Sequence, residues 1–192
     1  MNILIACEYS GIIRDTFRAL GHNAWSCDLI QTHRPGPHLQ CHVQRILGYG
    51  WDLMIAHPPC TYLSVSGLHW NKRDPIRDIK TASAFDFFTS LWRAPIKRIC
   101  LENPIGYMNT NWQKPTQIIQ PYDFGEDASK ATCLWLKNLP ILRSTSFMPP
   151  TWPGGRYANQ TESGQNNLSS SQSQLRAKTY QGIASAMAAQ WR

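Results

Sequence analysis

The sequence predicts an α/β domain built on a doubly wound, mostly parallel sheet. Three observations predict it. Short apolar runs alternate with stretches of helical periodicity, the apolar runs stop at turn formers, and polar or unusual residues cluster where they stop. Strands alternating with helices give a parallel sheet covered on both faces. In such sheets ligands sit at the carboxyl ends of the strands.

The elements follow in chain order. Asn2 to Cys7 is an apolar run that opens into Glu8-Tyr9-Ser10-Gly11, a strand and then a turn. Ile12, Ile13, Phe17 and Leu20 recur at helical spacing, and Gly21 supplies the stop. Ala24 to Leu29 reads as a second strand, and Asp52 to Ala56 as a third, stopped by His57-Pro58-Pro59. Ile76, Ile79, Phe85, Phe88, Leu91 and Trp92 mark an amphipathic helix closed before Pro95. Arg98 to Leu101 is a strand ending at a Glu102-Asn103-Pro104 turn, and Thr132 to Leu136 is another. Met148 to Gly155 is turn-rich. Asn159 to Gln174 is dominated by Ser, Gln and Asn and reads as a flexible loop. Ala177 to Trp191 returns to an alanine-rich helical pattern. No internal repeat is present, and residues 1–192 read as one catalytic-sized domain.

Bulk properties narrow the class. A chain of 192 residues with 42% apolar content can bury a real core. Its formal net charge of +7 favours a polyanionic partner such as nucleic acid. The six cysteines form no CxxC pair, so neither a disulfide framework nor a zinc finger is expected. His33, His38, Cys41 and His42 meet no metal-ligand spacing. No apolar run approaches the roughly 20 residues of a membrane span, and too little chain precedes Leu4-Ile5-Ala6-Cys7 for a lipoprotein leader. The expectation is a soluble protein of a reducing cytoplasm, with no membrane partner.

Two segments carry chemistry. In His57-Pro58-Pro59-Cys60 the prolines end the strand and stiffen the backbone that aims the Cys60 sulfur. A thiolate is the best side-chain nucleophile for an electron-poor ring carbon when its pKa is lowered. A lone cysteine after a strand is more often a buried thiol. The second segment, Cys100-Leu101-Glu102-Asn103-Pro104, changes that balance by placing a carboxyl group at a neighbouring strand end. Such a group can hydrogen-bond or protonate a ring nitrogen and so stabilise charge created by attack on the ring.

Together these segments resemble the cytosine carbon-5 DNA methyltransferase family. That family pairs a Pro-Cys nucleophile motif and a Ser-x-Ser/Ala-Gly stretch with a later Glu-Asn motif; here they read Pro59-Cys60, Ser64-Val65-Ser66-Gly67 and Glu102-Asn103, about forty residues apart. The resemblance implies a Rossmann-like fold of the S-adenosylmethionine-dependent methyltransferase type. It implies Cys60, Glu102 and Asn103 as catalytic residues. It assigns S-adenosylmethionine to the turn Cys7, Glu8, Tyr9, Ser10 and Gly11, to Asp28 for the ribose hydroxyls, and to Pro58 and Pro59. Cys7 stands where the family usually has glycine. Gln40-Cys41-His42-Val43 occupies the place of the family's adenine-side acid. Thr179 to Met187 resembles the family's last motif, bringing Gly182 to the cofactor.

The resemblance covers residues 1 to about 136 and about 177 to 191. It implies DNA, double- or single-stranded, as the partner. Ser64, Ser66, Trp70, Lys72, Arg73 and Lys130 are the expected substrate contacts. Lys72, Arg73, Arg77 and Lys80 would hold phosphates, and Trp70 would stack on or displace a base. Tyr122 to Lys130 occupies the place of the family's arginine motif; only Lys130, with Thr132 nearby, is found there, and the arginine pair is absent. The separate target-recognition domain has no counterpart, a layout that looks like the short proteins of bacteriophages and prophages. This leaves recognition to a second copy of the chain or a partner protein, in a bacterial or phage-infected host cytoplasm. Three alternatives remain open at this stage: the same chemistry on a free cytosine nucleotide or with a modified cofactor, an exocyclic-amine DNA methyltransferase, and a non-catalytic DNA- or cofactor-binding relative.

Overall fold

A computed structural model describes residues 1–65, 75–158 and 178–192. In chain order the elements are β1 (Asn2–Ala6), α1 (Ile12–Ala19), β2 (Asn23–Asp28), β3 (His38–Gln40), β4 (Leu53–Ala56), α2 (Pro75–Trp92), β5 (Arg98–Pro104), α3 (Tyr107–Asn111), β6 (Gln117–Ile119), β7 (Thr132–Lys137) and α4 (Gln181–Gln190). The strands form one seven-stranded sheet in the order β3-β2-β1-β4-β5-β7-β6. The first five are parallel; β7 runs antiparallel to both β5 and β6. The sheet is of the Rossmann-like type, doubly wound and mostly parallel.

The central strands read as continuous apolar runs because both faces are covered. On one face Ile3, Ile5, Leu53, Ile55, Cys100 and Leu134 pack with Ile13 and Phe17 of α1 and Ile183, Ala184 and Met187 of α4. On the other, Leu4, Ala6, Met54, Ala56, Ile99 and Leu101 pack with Phe88 and Leu91 of α2 and Met108 of α3. Each fully buried Leu, Ile or Phe contributes about 1.5–3 kcal/mol relative to exposure. The alanines of α4 let its backbone sit close on the sheet, and Trp191 closes that layer, its indole N–H donating to the Pro140 carbonyl at 3.0 Å.

Several sequence expectations change. The expected helix over 76–92 is present, but Ile76 and Ile79 are 61% and 68% exposed. The first turns of α2 lie against Tyr62 instead of the sheet: the Thr81 hydroxyl donates to the Tyr62 carbonyl at 3.2 Å, and Arg77 and Lys80 stand over the Tyr62 ring at 5.0 and 5.6 Å. The expected turn at Glu102-Asn103-Pro104 is strand instead. These residues pair with Leu134, Cys133 and Thr132 of β7, so a ladder and not a turn aims the Glu102 carboxyl. The last helix begins at Gln181 and not at Ala177, which lies outside the described residues. The Ser/Gln/Asn-rich loop expected at 159–174 also lies outside them.

Candidate functional site

The parallel register aligns the strand ends. Ala6 stands opposite Cys27 and Ala56, and Ala56 opposite Leu101. The next residues, Cys7, Asp28, His57 and Glu102, therefore emerge at one level on one rim, the rim where such folds bind ligands.

Glu102 follows Cys100 at period two, so its side chain rises on the α4 side of the sheet. It is 18% exposed, and its Oε2 lies 3.5 Å from Nδ1 of His57, itself 11% exposed. Burial raises the carboxyl pKa, but the hydrogen bond from His57 and the positive charges of Lys130 and His57 outweigh it and hold Glu102 below its ordinary value. Beside the pair is an open pocket lined by His57, Glu102, Lys130, Thr132, Tyr180 and Ile183 among others. The Lys130 backbone is fixed at both ends. Its N–H donates to Gln120 Oε1 at 2.9 Å and its carbonyl accepts from the Thr132 hydroxyl at 3.0 Å. The structure thus brings Glu102 and Lys130 into one pocket.

Asn103 points to the opposite face and is 1% exposed. Its Nδ2 donates to the Pro58 carbonyl at 2.7 Å and to the Glu102 carbonyl at 3.1 Å. Asn103, expected from the resemblance to be catalytic, ties the Pro-Pro segment to β5. A second clasp lies further along. The Tyr107 N–H donates to the Leu63 carbonyl at 2.7 Å, and Ser64 bridges to Gly106. A Cβ on Gly106 would stand 2.0 Å from the Leu63 carbonyl oxygen, so only glycine admits this contact.

Between the clasps sits Cys60, whose carbonyl accepts from the N–H groups of Leu63 and Ser64 at 3.0 and 2.9 Å. Cys60 is exposed, whereas Cys27, Cys100 and Cys133 are buried and Cys7 and Cys41 half-buried. Burial first, then neighbouring anionic groups, pushes Cys7 up, lifts Cys27 to about 12 and drives Cys100 well up.

The β1 turn is tightly wound. Cys7 adopts φ 56°, the left-handed conformation that a glycine would take without steric cost. Gly11, at φ 76°, starts α1. Glu8 is 5% exposed; one carboxylate oxygen bonds the Ser10 hydroxyl, while Oε2 is buried with no hydrogen-bond partner among the described residues. Ser10 Oγ accepts from the Ile12 N–H at 3.2 Å. Tyr9 is buried edge-on to His33, with ring centroids 4.7 Å apart. Asp28 Oδ1 accepts from the Leu29 and Ile30 N–H groups at 2.7 and 3.2 Å, which shapes the turn after β2.

Other residues missed in the sequence complete the frame. Arg14 is fully buried and donates to Ser26, Thr32 and the Arg34 carbonyl, stapling the loop after β2 to α1. A Cβ on Gly11 or Gly36 would press on its guanidinium at 2.6 or 2.8 Å. The helical spacing rests on Ile12, Ile13, Phe17 and Leu20 and leaves position 14 unmarked, so no signal pointed to it. His38 uses both ring nitrogens internally, on Ser26 Oγ and the Ile30 carbonyl. Gly182 packs against Phe124, where a Cβ would meet the carbonyl oxygen at 1.9 Å; it seats α4, and its neighbours Tyr180 and Ile183 reach the pocket. Ser66, Trp70, Lys72 and Arg73 lie outside the described residues. No helix among the described residues is long and apolar enough to cross a membrane.

No family model matches the chain, and no curated protein matches it. Among solved structures, a mutant of DNMT2 from Spodoptera frugiperda is similar at 17% identity and a TM-score of 0.43, over 82% of this chain and 56% of that one. The chain thus spans little more than half the length of that structure.

Proposed function

We propose that the protein methylates carbon 5 of cytosine in DNA, with Cys60 as covalent nucleophile and S-adenosylmethionine as methyl donor. The observation that carries this reading is the double clasp: Asn103 on the Pro58 carbonyl and Tyr107 on the Leu63 carbonyl bind the exposed Cys60 loop to the strand that bears Glu102 and to the helix that follows it.

The residues at the β1 turn fit the cofactor. A buried Glu8 oxygen without a partner among the described residues suits a cationic amino group, the turn at Cys7 to Gly11 suits close passage of a ligand, and Asp28 suits ribose hydroxyls. Pro58 and Pro59 belong to the same cofactor assignment. When bound, S-adenosylmethionine supplies the electrophilic methyl group that carbon 5 receives. The protein's own residues do the rest. A cytosine flipped from the duplex or presented in a single strand enters the pocket. The Cys60 thiolate adds to ring carbon 6, Glu102 bonds nitrogen 3 and the exocyclic amine, and Lys130 supports the base from across the pocket. A base such as water then takes the carbon 5 proton, and Cys60 is eliminated. The net charge of +7 supports a polyanionic substrate, with a second copy or a partner protein supplying sequence recognition.

The test is incubation with labelled cofactor and DNA carrying 5-fluorocytosine. Fluorine cannot leave as a proton does, so a covalent complex accumulates with the wild type. No adduct, or an equal one with Cys60→Ser, overturns the covalent mechanism. Mass spectrometry of nucleosides separates the alternatives: 5-methylcytosine is expected, an N-methylated base indicates an exocyclic-amine enzyme, and product from dCMP alone indicates a nucleotide substrate.

A further inference from the structure

We infer that His57 is a positioning residue that supplies Glu102 with the proton Glu102 gives to the target base. The inference rests on the functional reading above and adds a residue to it. Three observations lead there. His57 Nδ1 lies 3.5 Å from Glu102 Oε2, inside a shared pocket, with the two side chains only 11% and 18% exposed. The other ring nitrogen, Nε2, is buried and has no hydrogen-bond partner among the described residues. And Glu102 is held as a carboxylate in the absence of substrate, because His57 and Lys130 outweigh the effect of burial.

The third observation poses a chemical problem that the first two solve. Addition to a cytosine ring is helped by an acid at nitrogen 3, yet an isolated carboxylate brings no proton. In the pair, the imidazolium form of His57 gives its Nδ1 proton to Glu102 Oε2 and is left as the neutral ring that keeps its proton on Nε2. The balance is closed. The Cys60 sulfur forms a bond to carbon 6, and the carbon 5–carbon 6 π pair moves into the ring. Nitrogen 3 takes the proton of Glu102, and Glu102 takes that of His57. Reversal expels the thiolate and returns the proton along the same path. The groups facing Glu102 are His57 from the end of β4, Lys130 from the approach to β7, Cys100 and Cys133 from the sheet, and Lys178 at the pocket wall. Of these, His57 places a ring nitrogen 3.5 Å from the carboxylate, and an imidazole can both take and give a proton.

Two variants test it. His57→Gln keeps an N–H donor but cannot relay a proton. Addition is read without cofactor, as exchange of the carbon 5 hydrogen of cytosine in DNA for solvent deuterium, which requires the reversible bond to carbon 6. The expected result is a loss on the order of 100-fold in exchange rate, with DNA affinity unchanged and the alkaline limb of the pH profile moved to lower pH, since Glu102 alone must then hold the proton. His57→Ala, read by carboxyl-13C NMR with Glu102→Gln for assignment, is expected to raise the Glu102 titration midpoint. Wild-type exchange with an unchanged rate and profile in His57→Gln overturns the relay while leaving Cys60 in place. An unmoved Glu102 midpoint overturns the pairing itself. A wild type that neither exchanges nor forms the fluorocytosine adduct overturns the functional reading and the relay with it.

Discussion

Six thiols share this chain, and their surroundings sort them. Thiolate reactivity requires access and a pKa that burial does not raise. Cys7, Cys27 and Cys100 are pushed up by burial, Cys133 likewise, and Cys60 is the exposed one. Brief alkylation of the native protein near neutral pH should therefore modify Cys60 first; peptide mass mapping that finds Cys27 or Cys100 ahead of it would contradict the placement. Glu102 allows a second prediction at this scale. Its folded pKa is depressed, so its contribution to stability is full above the ordinary carboxylate value near ~4.3 and is lost as pH falls through the lower folded value. Glu102→Gln should thus flatten the acid limb of stability. Urea unfolding at pH 7, 5 and 3.5 checks this, and a variant that loses stability on acidification as steeply as wild type refutes it. The sequence displayed both residues, because Pro-Pro-Cys and Glu-Asn announce themselves locally. It did not display the His57–Glu102 contact, which depends on two residues far apart in the chain being carried to one level by the in-register pairing of β4 with β5.

At the scale of elements, the site depends on backbone pairing more than on turns. The ladder with β7 carries β5 past Leu101 to Pro104 and so points Glu102 to one face and Asn103 to the other. A proline at the end of that run suggested a turn, since proline usually punctuates a strand, and only the antiparallel partner reveals the extension. The three-residue strands β3 and β6 were equally invisible, being too short for any alternation to register. The long helix was legible, but which of its apolar residues are covered was not: Ile76 and Ile79 fall beyond the sheet. The Leu63–Gly106 contact gives the element-scale prediction. A Cβ at position 106 meets backbone, not a movable side-chain tip, so Gly106→Ala must displace the Cys60 loop. Overpacking of this kind costs about 1–3 kcal/mol. Adduct formation should fall at least tenfold while circular dichroism shows the sheet retained; full activity would show that the clasp does not position Cys60.

At the scale of the whole molecule, the proposed site and the Trp191 anchor occupy opposite ends of one sheet. The alternation of strands and helices made the parallel core readable. The order of strands, and the return of the C-terminal helix to cover the same face as α1, were not readable, because they are set by packing between segments distant in sequence. That return has a consequence. The start of α4 brings Tyr180 and Ile183 to the pocket, while its end carries Trp191 to the far edge, where the indole is 1% exposed, bonds the Pro140 carbonyl, and the Trp191 carbonyl accepts from Arg98 at the first residue of β5. Removing this anchor should loosen the fold without touching the reacting groups. Trp191→Ala is expected to cost about 3–5 kcal/mol, a fall in Tm of roughly 6–20 °C for a chain of this size. The rate of carbon 5 exchange per folded molecule, measured well below the transition, should stay within about threefold of wild type, since no group that bonds the base has moved. A large loss of exchange with Tm unchanged would mean that the far end of α4 is coupled to the pocket, and that the division between a chemical rim and a structural base does not hold.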